Sequence, residues 1–326
     1  MFTNINILND VYYLHEYVSL YINDKSKLFE FKYEHNEKKF YTIAIKKPIE
    51  YIGKIKCDKQ YYDLETAYGY GGFYTNTDDT LFLKEAMHLY EKKCKKENII
   101  AEFIRFHPFN NFPIMYKNFL DFTLYDRDIV IKTIKNNVID SYKSKVRNII
   151  KNANKKLVIQ ESLDLDNFIV LYNKTMKKNN ADKFYFFTKE YYKNLLNNNF
   201  AKLYEVIYQN EIIAMGFFMF GKDIVHYHLS ANSEISYSLN ANYALLDHVF
   251  NKTNSLNKNI CLLGGGTTSS KEDSLFKFKK KFSNEIKPFY IGGKIYNKEI
   301  YNKYIKLWEE QSSRDINYFL KYRLDI

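Results

Sequence analysis

Residues Cys261–Ser283 read CLLGGGTTSSKEDSLFKFKKKFS, a short apolar run followed by three glycines, a polar loop and an amphipathic segment. Three glycines after a strand-like run allow the backbone to approach a partner strand or a ligand closely. At about 100° per residue, Leu275, Phe278 and Phe282 fall within one arc of a helix. Lys279 falls in the same arc, where a lysine is expected only with an anionic partner.

The bulk composition is that of a globular protein with a basic excess. A chain of 326 residues is expected to form one or two domains. The net charge of +11 suits partners that carry phosphate, such as nucleotides, coenzyme A or tRNA. The 31 tyrosines and 26 phenylalanines are explained either by an AT-rich coding bias, which also enriches Lys, Asn and Ile, or by surfaces that stack on ligands.

The cysteines and the apolar runs place the chain in a reducing, aqueous compartment. Cys57, Cys94 and Cys261 have no CxxC spacing, so neither a disulfide framework nor a zinc site is expected. The N-terminus lacks the pattern of a signal peptide. The longest apolar run, residues 212–220, is far shorter than the roughly 20 residues that span a bilayer. We therefore predict a soluble, cytoplasmic protein.

The second half of the chain gives the clearer prediction of fold class. Its patterns indicate two helices, three strands joined by tight turns, a helix, a strand, a further helix and a final strand. The predicted elements are helices at 163–178, 189–198 and 240–256, and strands at 202–208, 211–220, 224–231 and 260–263. This order predicts an α+β fold with a mixed sheet rather than a doubly wound parallel one.

Part of the same order recurs in the first half. Strands are predicted at 28–33, 39–45 and 99–106, with a helix at 80–95 that Asp78 or Asp79 caps. A basic helix is predicted at 138–157. We therefore predict two similar lobes, an N-terminal lobe at residues 1–155 and a C-terminal lobe at residues 156–326.

Two segments of the first half carry candidate site residues. The segment YYDLETAYGYGGFYT (residues 61–75) predicts a tight loop lined by Tyr68 and Tyr70, either a packed turn or a binding loop. In AEFIRFHPFNN (residues 101–111), strand alternation places Arg105 and His107 on one side at the strand end. A histidine there could take a proton from an ammonium nucleophile, or it could be structural.

Other chemistries lack their signatures. His226 and His228 share one face of a predicted strand with no third ligand at metal spacing, so no metal site is expected and His228 with Tyr227 is predicted to contact substrate. The sequence GGGTTSS has no GK[ST], and no GxGxxG follows a first strand, so a phosphate loop and a Rossmann site are excluded. Neither a Ser-His-Asp triad nor a carboxylate-pair hydrolase is indicated.

Three segments together resemble the FemAB-like branch of the GNAT acyltransferase superfamily, over about residues 61–304. They are YYDLETAYGYGG, AEFIRFHPFNN, and LGGG…DSLFKFKKKFS with IGGKIYNKEIY behind it. That branch includes peptidoglycan-bridge aminoacyltransferases and acetyltransferases of polysaccharide loci. The resemblance implies two GNAT-like lobes, each a mixed, largely antiparallel sheet flanked by helices. It also implies transfer of an acyl group onto an amine.

The resemblance also implies roles for individual residues. Lys279 corresponds to the lysine of the F-K-x-x-F motif, which helps to neutralise charge at the transfer centre. His107 stands where some relatives have Asp and is the candidate general base, with Arg105, Tyr68 and Tyr70 orienting the acceptor. The pyrophosphate loop of standard acetyltransferases is replaced by SYSLNANYALL. Anion contacts are therefore expected from the start of that helix and from the glycine run, at Asn240, Asn242 and Gly265.

The predicted function is an N-acyltransferase that acts by direct attack, with acetyl-CoA as co-substrate and no metal. The acceptor is an amine of an amino sugar or a cell-envelope or polysaccharide precursor. Aminoacyl-tRNA is the alternative donor, although the chain has no segment long enough for the helical hairpin of larger bridge-forming enzymes. A non-catalytic module that binds a glycan or nucleic acid is the other alternative. It predicts that His107 and Lys279 are buried, with Lys279 paired to a carboxylate such as Asp247 or Glu285.

Overall fold

The computed structural model describes residues 5–135 and 137–326 as an α+β protein, as predicted. The strands are β1 (Lys27–His35), β2 (Lys38–Ile52), β3 (Ile55–Glu65), β4 (Tyr74–Thr75), β5 (Ile99–Arg105), β6 (Phe122–Thr133), β7 (Val158–Ser162), β8 (Ala201–Tyr208), β9 (Glu211–Phe220), β10 (Ile224–Asn232), β11 (Ile260–Gly264) and β12 (Ile286–Ile295). The helices are α1 (His15–Ser19), α2 (Thr80–Lys96), α3 (Phe112–Met115), α4 (Ser144–Asn154), α5 (Leu165–Lys178), α6 (Lys189–Leu196), α7 (Glu234–Ser238), α8 (Ala241–Ser255), α9 (Ser274–Lys279) and α10 (Lys298–Glu309). Among the described residues, no helix is both long and apolar enough to cross a lipid bilayer.

The described chain divides into two compact units, as the two-lobe prediction requires. We call residues 6–8, 12–126 and 288–326 lobe N, and residues 5, 9–11 and 127–287 lobe C. These units differ from the predicted ranges 1–155 and 156–326. The C-terminal segment belongs to lobe N because β12 pairs with β5, and residues 127–155 belong to lobe C because β6 pairs with β11 and α4 packs with α8.

Lobe N contains a sheet in the order β1-β2-β3-β5-β12, antiparallel except for the parallel pair β3 and β5. Helix α2 provides the crossover between that parallel pair. It begins where predicted, because the Asp79 carboxylate accepts hydrogen bonds from the amides of Leu81 and Phe82. Its Leu83, Ala86, Met87, Tyr90 and Cys94 are buried at helical spacing.

A carboxyl group lies in the core beneath α2. Glu102 of β5 is fully buried, and its Oε2 accepts hydrogen bonds from the hydroxyls of Tyr90 (2.8 Å) and Tyr296 (2.5 Å). Its Oε1 has no hydrogen-bond partner among the described residues. Burial raises the pKa of Glu102 to about 7, while the two tyrosine hydrogen bonds act in the opposite direction. The carboxyl group is therefore protonated in mildly acidic solution.

Replacing Glu102 by glutamine is expected to remove a pH-dependent loss of stability. The pKa of Glu102 is raised from 4.5 in the unfolded state to about 7 in the folded state. The contribution of protonated Glu102 to the free energy of unfolding is therefore complete below pH 4.5 and is lost as the pH rises towards 7. The difference corresponds to on the order of 3 kcal/mol. Urea denaturation at pH 5 and pH 8 should show Glu102→Gln gaining on wild type at pH 8, whereas the exposed-site control Glu299→Gln should not. An equal difference at both pH values would contradict a buried titrating carboxyl.

The C-terminal segment closes the other side of the lobe N sheet. Tyr304 and Trp308 of α10 pack with Tyr322 in a second core cluster. Arg323 binds Asp63 of β3 with two hydrogen bonds of 2.7 Å, and its guanidinium also donates to the carbonyls of Lys47 and Pro48. The Asp63 side chain is 1% exposed. This bidentate ion pair therefore fastens the end of the chain to β2 and β3.

Lobe C contains a sheet in the order β6-β11-β10-β9-β8-β7. The three predicted strands β8, β9 and β10 form an antiparallel meander, and Gln209 and Asn210 have positive φ in the first turn. Helices α4 and α8 contribute buried side chains to the large core of this lobe. The basic helix predicted at 138–157 is shorter than expected, because Ile139–Ser141 forms a 3-10 turn and α4 begins at Ser144.

The pair β10 and β11 is the parallel pair of lobe C. The two strands pair over three positions, from Ile224 opposite Ile260 to His226 opposite Leu262. Beyond that point each strand has an irregularity, β10 between Tyr227 and Leu229 and β11 between Leu262 and Gly264. Bulges of this kind re-aim side chains and are frequent beside active sites. The parallel pairing therefore ends at the position of the glycine run.

Candidate active site

The glycine run turns the chain sharply at the end of β11. Gly264 has a φ of +82°, which a residue with a side chain rarely adopts, and a Cβ there would lie 3.2 Å from Lys279 Nζ. A Cβ on Gly265 would lie 2.7 Å from Cδ of Arg127. Arg127 Nη1 in turn donates to the Gly266 carbonyl over 2.9 Å. The glycines therefore allow a close approach of side chains from β6 and α9, as the sequence predicts.

Asp273 organises the loop that follows. Its carboxylate caps α9 by accepting from the amides of Leu275 and Phe276, and it accepts further hydrogen bonds from Thr267 and Thr268. Partial burial acts to raise the pKa of Asp273, but these hydrogen bonds outweigh it and lower the pKa to about 2. Asp273 is therefore a fixed negative charge at the start of the helix that carries Lys279.

Lys279 is buried at the C-terminal end of α9. Only 7% of its surface is exposed, and its Nζ donates a hydrogen bond of 2.6 Å to the Gly265 carbonyl. The same Nζ lies 5.9 Å from the ring centroid of Tyr227 on β10. The amine of Lys279 therefore lies between the end of β11 and the irregular part of β10, where the parallel pairing has stopped.

Burial changes the protonation of this amine. It lowers the pKa of Lys279 from 10.5 to about 7, with the Asp273 carboxylate acting in the opposite direction and Arg127 adding to the lowering. At neutral pH the Lys279 side chain is thus a mixture of the ammonium form and the neutral amine form. Both forms carry N–H groups that can donate a hydrogen bond.

Lys279 is buried, but its hydrogen bond differs from the carboxylate pair that the binding-module alternative predicts. The carboxylate of Asp247 accepts from the Tyr142 hydroxyl over 2.8 Å, and that of Glu285 accepts from the Thr133 hydroxyl over 2.5 Å. The hydrogen bond of Lys279 goes to a backbone carbonyl instead. The Gly265 carbonyl is uncharged and compensates a buried ammonium poorly, which is consistent with the low pKa of Lys279.

The aromatic side chains of β10 lie on the same side of lobe C. Tyr227 stacks on Phe218 at 5.1 Å, and burial raises its pKa to about 12, so the phenol keeps its proton at neutral pH. His228 Nε2 and the Tyr191 hydroxyl are 2.8 Å apart. Burial, with a contribution from His226, lowers the pKa of His228 to about 3. His228 is thus a neutral hydrogen-bonding group and does not titrate near neutrality.

Asn240 and Asn242, which are predicted to contact the acyl donor, lie at the start of α8 and are half-buried. Asn240 adopts the left-handed conformation, with φ of 56° and ψ of 39°, and its side chain makes no capping hydrogen bond to the helix. The Oδ1 atom of Asn242 is buried without a hydrogen-bond partner among the described residues. Asn240 also lines an open pocket together with α4.

In lobe N, His107 lies in an aromatic enclosure. It is 1% exposed, and its ring centroid lies 5.8 Å from that of Tyr70 and 6.2 Å from that of Tyr12. The Phe109 amide donates to His107 Nδ1 over 3.2 Å. Because Nδ1 accepts, the proton of the neutral ring lies on Nε2. In this tautomer Nε2–H can donate, and the basic lone pair is the one on Nδ1 that the Phe109 amide contacts.

The predicted aromatic loop is present beside His107. Gly69 and Gly72 have φ of +98° and +91°, so the loop depends on glycine at both positions. The Tyr68 carbonyl accepts from Tyr17 over 2.6 Å, and Tyr70 is buried with its ring 5.3 Å from that of Phe289. The structure thus brings Tyr70 and His107 together.

Arg105, the last residue of β5, lies in an ion-pair network. Its Nη1 donates to Glu65 over 2.8 Å, and Lys47 donates to the same carboxylate over 2.6 Å. Burial acts to raise the pKa of Glu65, but the two cations outweigh it and lower the pKa to about 2. The Arg105 guanidinium also lies over the Phe103 ring, 4.9 Å from its centroid, so these two residues share a face of the strand.

Two residues near Lys279, Asp273 and Arg127, are not among the predicted site residues. The Asp-Ser pair at residues 273–274 before an apolar helical segment is a helix-start signal that would have identified Asp273 as a cap. Arg127 lies on β6, 152 residues before Lys279 in the chain, and no local pattern links it to the glycine run. Only the pairing of β6 with β11 brings it there.

Comparison with solved structures identifies the fold. The crystal structure of FemX superposes with a TM-score of 0.72 at 13% identity, covering 92% of this chain and 95% of FemX. The structure of L-PGS from Bacillus licheniformis gives a TM-score of 0.52 at 13% identity, covering 87% of this chain and 90% of that one. A C-terminal domain of a putative lysylphosphatidylglycerol synthetase from Agrobacterium fabrum also gives 0.52, at 11% identity over 86% of this chain and 88% of that domain.

These similarities confirm the predicted fold, because FemX matches over nearly the whole of both chains. The chain therefore shares the fold of FemX. No protein-family model matches the chain, and no curated protein matches it either.

Proposed function

We propose that this protein is an N-acyltransferase whose transfer centre lies at the end of β11 in lobe C. The observation that carries the proposal is the amine of Lys279, buried with a pKa of about 7 beside Tyr227, at the point where the parallel strands β10 and β11 stop pairing. A strongly shifted lysine beside a strand irregularity is typical of a reactive site. The FemX-like fold supports the same assignment.

The reaction is a direct transfer. The nitrogen of the acceptor amine attacks the donor carbonyl carbon, and a tetrahedral intermediate forms with negative charge on its oxygen. The carbon–sulfur bond of a thioester, or the carbon–oxygen bond of an ester, then breaks. The attacking nitrogen gives up one proton to the base, and the leaving thiolate or alkoxide takes up a proton as the amide forms, so no covalent bond to the enzyme is required.

Lys279 stabilises the oxyanion in this scheme. Its Nζ is already held by the Gly265 carbonyl in a nearly dry environment, so little reorganisation is needed when charge develops. Developing negative charge nearby favours the ammonium form, since an opposite charge raises the pKa of an amine. Tyr227, which keeps its phenolic proton and whose ring centroid lies 5.9 Å from Lys279 Nζ, is proposed to donate alongside it.

His107 is the proposed base, with a water molecule near it as the alternative. Proton uptake uses the lone pair on Nδ1, so the 3.2 Å hydrogen bond from the Phe109 amide has to be given up when His107 acts as the base. Arg105, Tyr68 and Tyr70 are proposed to position the acceptor. Glu65 holds the Arg105 guanidinium in place, and the enclosure around His107 holds Tyr70. These assignments stand on the sequence motif, and the structure adds the constraint that Nδ1 of His107 already accepts a hydrogen bond.

Acetyl-CoA is the proposed donor, and an amino sugar or a cell-envelope or polysaccharide precursor is the proposed acceptor. The longest helix among the described residues, α2, has 17 residues, so the described chain holds no long helical hairpin of the type found in larger aminoacyl-tRNA-dependent relatives. Aminoacyl-tRNA remains the alternative donor, because the FemX-like fold and the basic helix α4 both suit it.

One observation favours a non-catalytic binding module as the second candidate. His107 and Lys279 are both buried, at 1% and 7% exposure, which is the result expected of a degenerate fold. The observation that separates the candidates is the partner of Lys279. A lysine kept for structure alone is expected to pair with a carboxylate, whereas Lys279 donates to the Gly265 carbonyl.

A thermal-shift screen is expected to identify the ligand class. A ligand at about 100 times its dissociation constant adds roughly 2.7 kcal/mol to the stability of the folded state. We expect acetyl-CoA to raise the melting temperature more than an equal concentration of ATP does. Stabilisation by aminoacylated RNA instead would transfer the assignment to the alternative donor. Stabilisation by nucleotide-linked amino sugars with neither donor would contradict the enzyme and favour the binding module.

A further inference from the structure

A group of exposed aromatic side chains lies on lobe C, in the segment that joins α5 to α6. We call this segment, residues 179–188, the α5–α6 loop. Phe184, Tyr185 and Phe186 follow one another in it, and their surfaces stay 47%, 37% and 36% exposed. Apolar side chains on a protein surface normally stand singly, whereas a contiguous group marks an interaction surface.

The α5–α6 loop is held in place at both sides of this group. Phe187, the residue that follows it, stacks on Tyr191 of α6 with ring centroids 4.3 Å apart. On the other side, the Asp182 carboxylate accepts a hydrogen bond of 2.9 Å from the Phe184 amide. The loop is therefore anchored by its flanking residues, while the three aromatic residues between them keep a large part of their surface in solvent.

Helix α7 brings further exposed apolar side chains to the end of α5. Ile235 and Tyr237 are 46% and 54% exposed. The Nζ of Lys178, the last residue of α5, lies 5.1 Å from the Tyr237 ring centroid. The Asn232 amide, just before α7, donates to Thr175 Oγ1 of α5 over 2.9 Å. The end of α5, the α5–α6 loop and α7 are thus neighbours within lobe C, and we call them the α5–α7 surface.

The α5–α7 surface carries positive charge with little opposing charge. Residues 167–188 contain four lysines and one acidic residue, Asp182, which gives this stretch a net charge of +3. Lys174, Lys177 and Lys183 are exposed, and none of them forms an ion pair with the residues that the structure describes. The surface therefore combines apolar side chains with cations that are available to an external anion.

This combination fits a lipid bilayer better than it fits a protein or an RNA. Tyrosine is enriched at the level of the lipid headgroups, phenylalanine inserts beneath them, and lysine reaches back to their phosphates. Interfaces between proteins are depleted in lysine. Arginine is the residue preferred for stacking on bases and for bidentate contacts to phosphate, and residues 163–200 contain none.

We propose that the α5–α7 surface binds the headgroup region of a bilayer that contains anionic phospholipids. The aromatic residues of the α5–α6 loop enter the interface, and the exposed lysines around them contact the lipid phosphates. The binding is peripheral and reversible, because a few side chains bury far less apolar area than a spanning helix does. This inference goes beyond the proposed transfer reaction and does not rest on it.

Quenching by brominated lipids tests the insertion of the loop. Trp308 is the single tryptophan of the chain and is fully buried, so a tryptophan introduced by Phe186→Trp reports on its own surroundings. The matched control is Tyr51→Trp, at an exposed tyrosine of lobe N. With vesicles of phosphatidylglycerol and brominated phosphatidylcholine, we expect the added emission of Phe186→Trp to be quenched and shifted to shorter wavelength. The added emission of Tyr51→Trp should stay unchanged.

Sedimentation with vesicles tests the contribution of the lysines. Lys177→Gln/Lys183→Gln removes two cations from the α5–α7 surface, and Lys92→Gln/Lys95→Gln removes two exposed cations from α2 in lobe N. We expect the first variant to bind vesicles that contain phosphatidylglycerol at least about 10-fold more weakly than wild type does, and the control to stay within about 2-fold. All these positions are exposed, so the variants keep the core intact.

The outcomes separate a bilayer from the other partners. Quenching at position 186, together with weakening confined to Lys177→Gln/Lys183→Gln, supports the proposal. An unquenched tryptophan at position 186, or equal weakening in both double variants, would overturn it and show only general electrostatic attraction. Loss of affinity for an RNA hairpin with unchanged vesicle binding would also overturn it and assign the surface to nucleic acid. Neither measurement requires acyl transfer, so failure of the proposed function leaves the result intact.

Discussion

Replacing Lys279 by methionine is expected to lower the rate of acyl transfer by about 10²–10³ while making the protein more stable. Loss of one oxyanion donor accounts for the kinetic effect. The gain in stability arises because methionine fills a similar volume without burying a charge. Opposite effects on activity and stability are typical of a residue retained for function.

The gain in stability should depend on pH in a defined direction. Burial lowers the pKa of Lys279 from 10.5 to about 7, so the unfolded chain binds a proton more strongly than the folded one. The destabilisation is complete below pH 7 and disappears as the pH rises towards 10.5. A shift of this size corresponds to roughly 5 kcal/mol, and loss of the hydrogen bond to Gly265 offsets about 1–3 kcal/mol. We expect a net gain of about 2–4 kcal/mol at pH 6 and a smaller one at pH 9.

The matched control is the neighbouring Lys280→Met. Lys280 is exposed at the end of the same helix, so its loss should leave both turnover and the pH dependence of stability within experimental error. Chemical denaturation at pH 6 and 9, with initial rates on the same preparations, measures both effects. A Lys279→Met variant that is destabilised at both pH values would show that the amine is paired and structural.

Replacing Arg323 by methionine is expected to destabilise the protein by about 3–5 kcal/mol. The change removes both hydrogen bonds to Asp63 and leaves a carboxyl group that is 1% exposed without its cation. It also removes donors from the carbonyls of Lys47 and Pro48 on β2. The urea midpoint of the first unfolding transition measures the loss.

The double variant Asp63→Asn/Arg323→Met provides the control for the uncompensated charge. It should recover part of the loss, because replacing both members of a buried pair is less harmful than removing one. Equal destabilisation of the single and double variants would show that packing of the C-terminal segment, and not the ion pair, accounts for the effect. Turnover at a temperature where both variants are folded should stay close to wild type.

Regular periodicity made much of lobe C predictable from the sequence. The strands β8, β9 and β10 are apolar and separated by tight turns, and α2 in lobe N has a cap and a clear apolar stripe. These local signals agree with the tertiary structure, so the element boundaries fall within a few residues of prediction.

The strands β3 and β6 escaped prediction, and β12 was predicted only as a final strand without bounds, because their local patterns conflict with their final environment. In β3 the segment KCDKQ is polar and its exposed face dominates the pattern, while β12 contains Pro288, Gly292 and Gly293, which normally interrupt strands. Long-range pairing stabilises them: β3 pairs with β5, and β12 pairs with β5 as well. No window of a single sequence contains that information.

The candidate site was predictable only in its individual residues. Helical periodicity identified Lys279 as a buried lysine. The predicted helix extended to Phe282, whereas α9 ends at Lys279. The buried face of α9 contains Phe276 where Leu275 was expected. Its carbonyl partner and its low pKa depend on the conformation of the glycine run and on Arg127. Those follow from tertiary contacts and have no sequence signature.

The most direct test of the account follows an isotopically labelled acyl group. Wild type and Lys279→Met are incubated with labelled acetyl-CoA or labelled aminoacyl-RNA, together with nucleotide-linked amino sugars and primary-amine peptides, and the amide product is quantified by mass spectrometry. We predict that wild type forms a labelled amide with one donor and that Lys279→Met forms it about 10²–10³ times more slowly. Equal rates for the two proteins, or no amide from wild type with either donor, would contradict an acyl-transfer centre at Lys279.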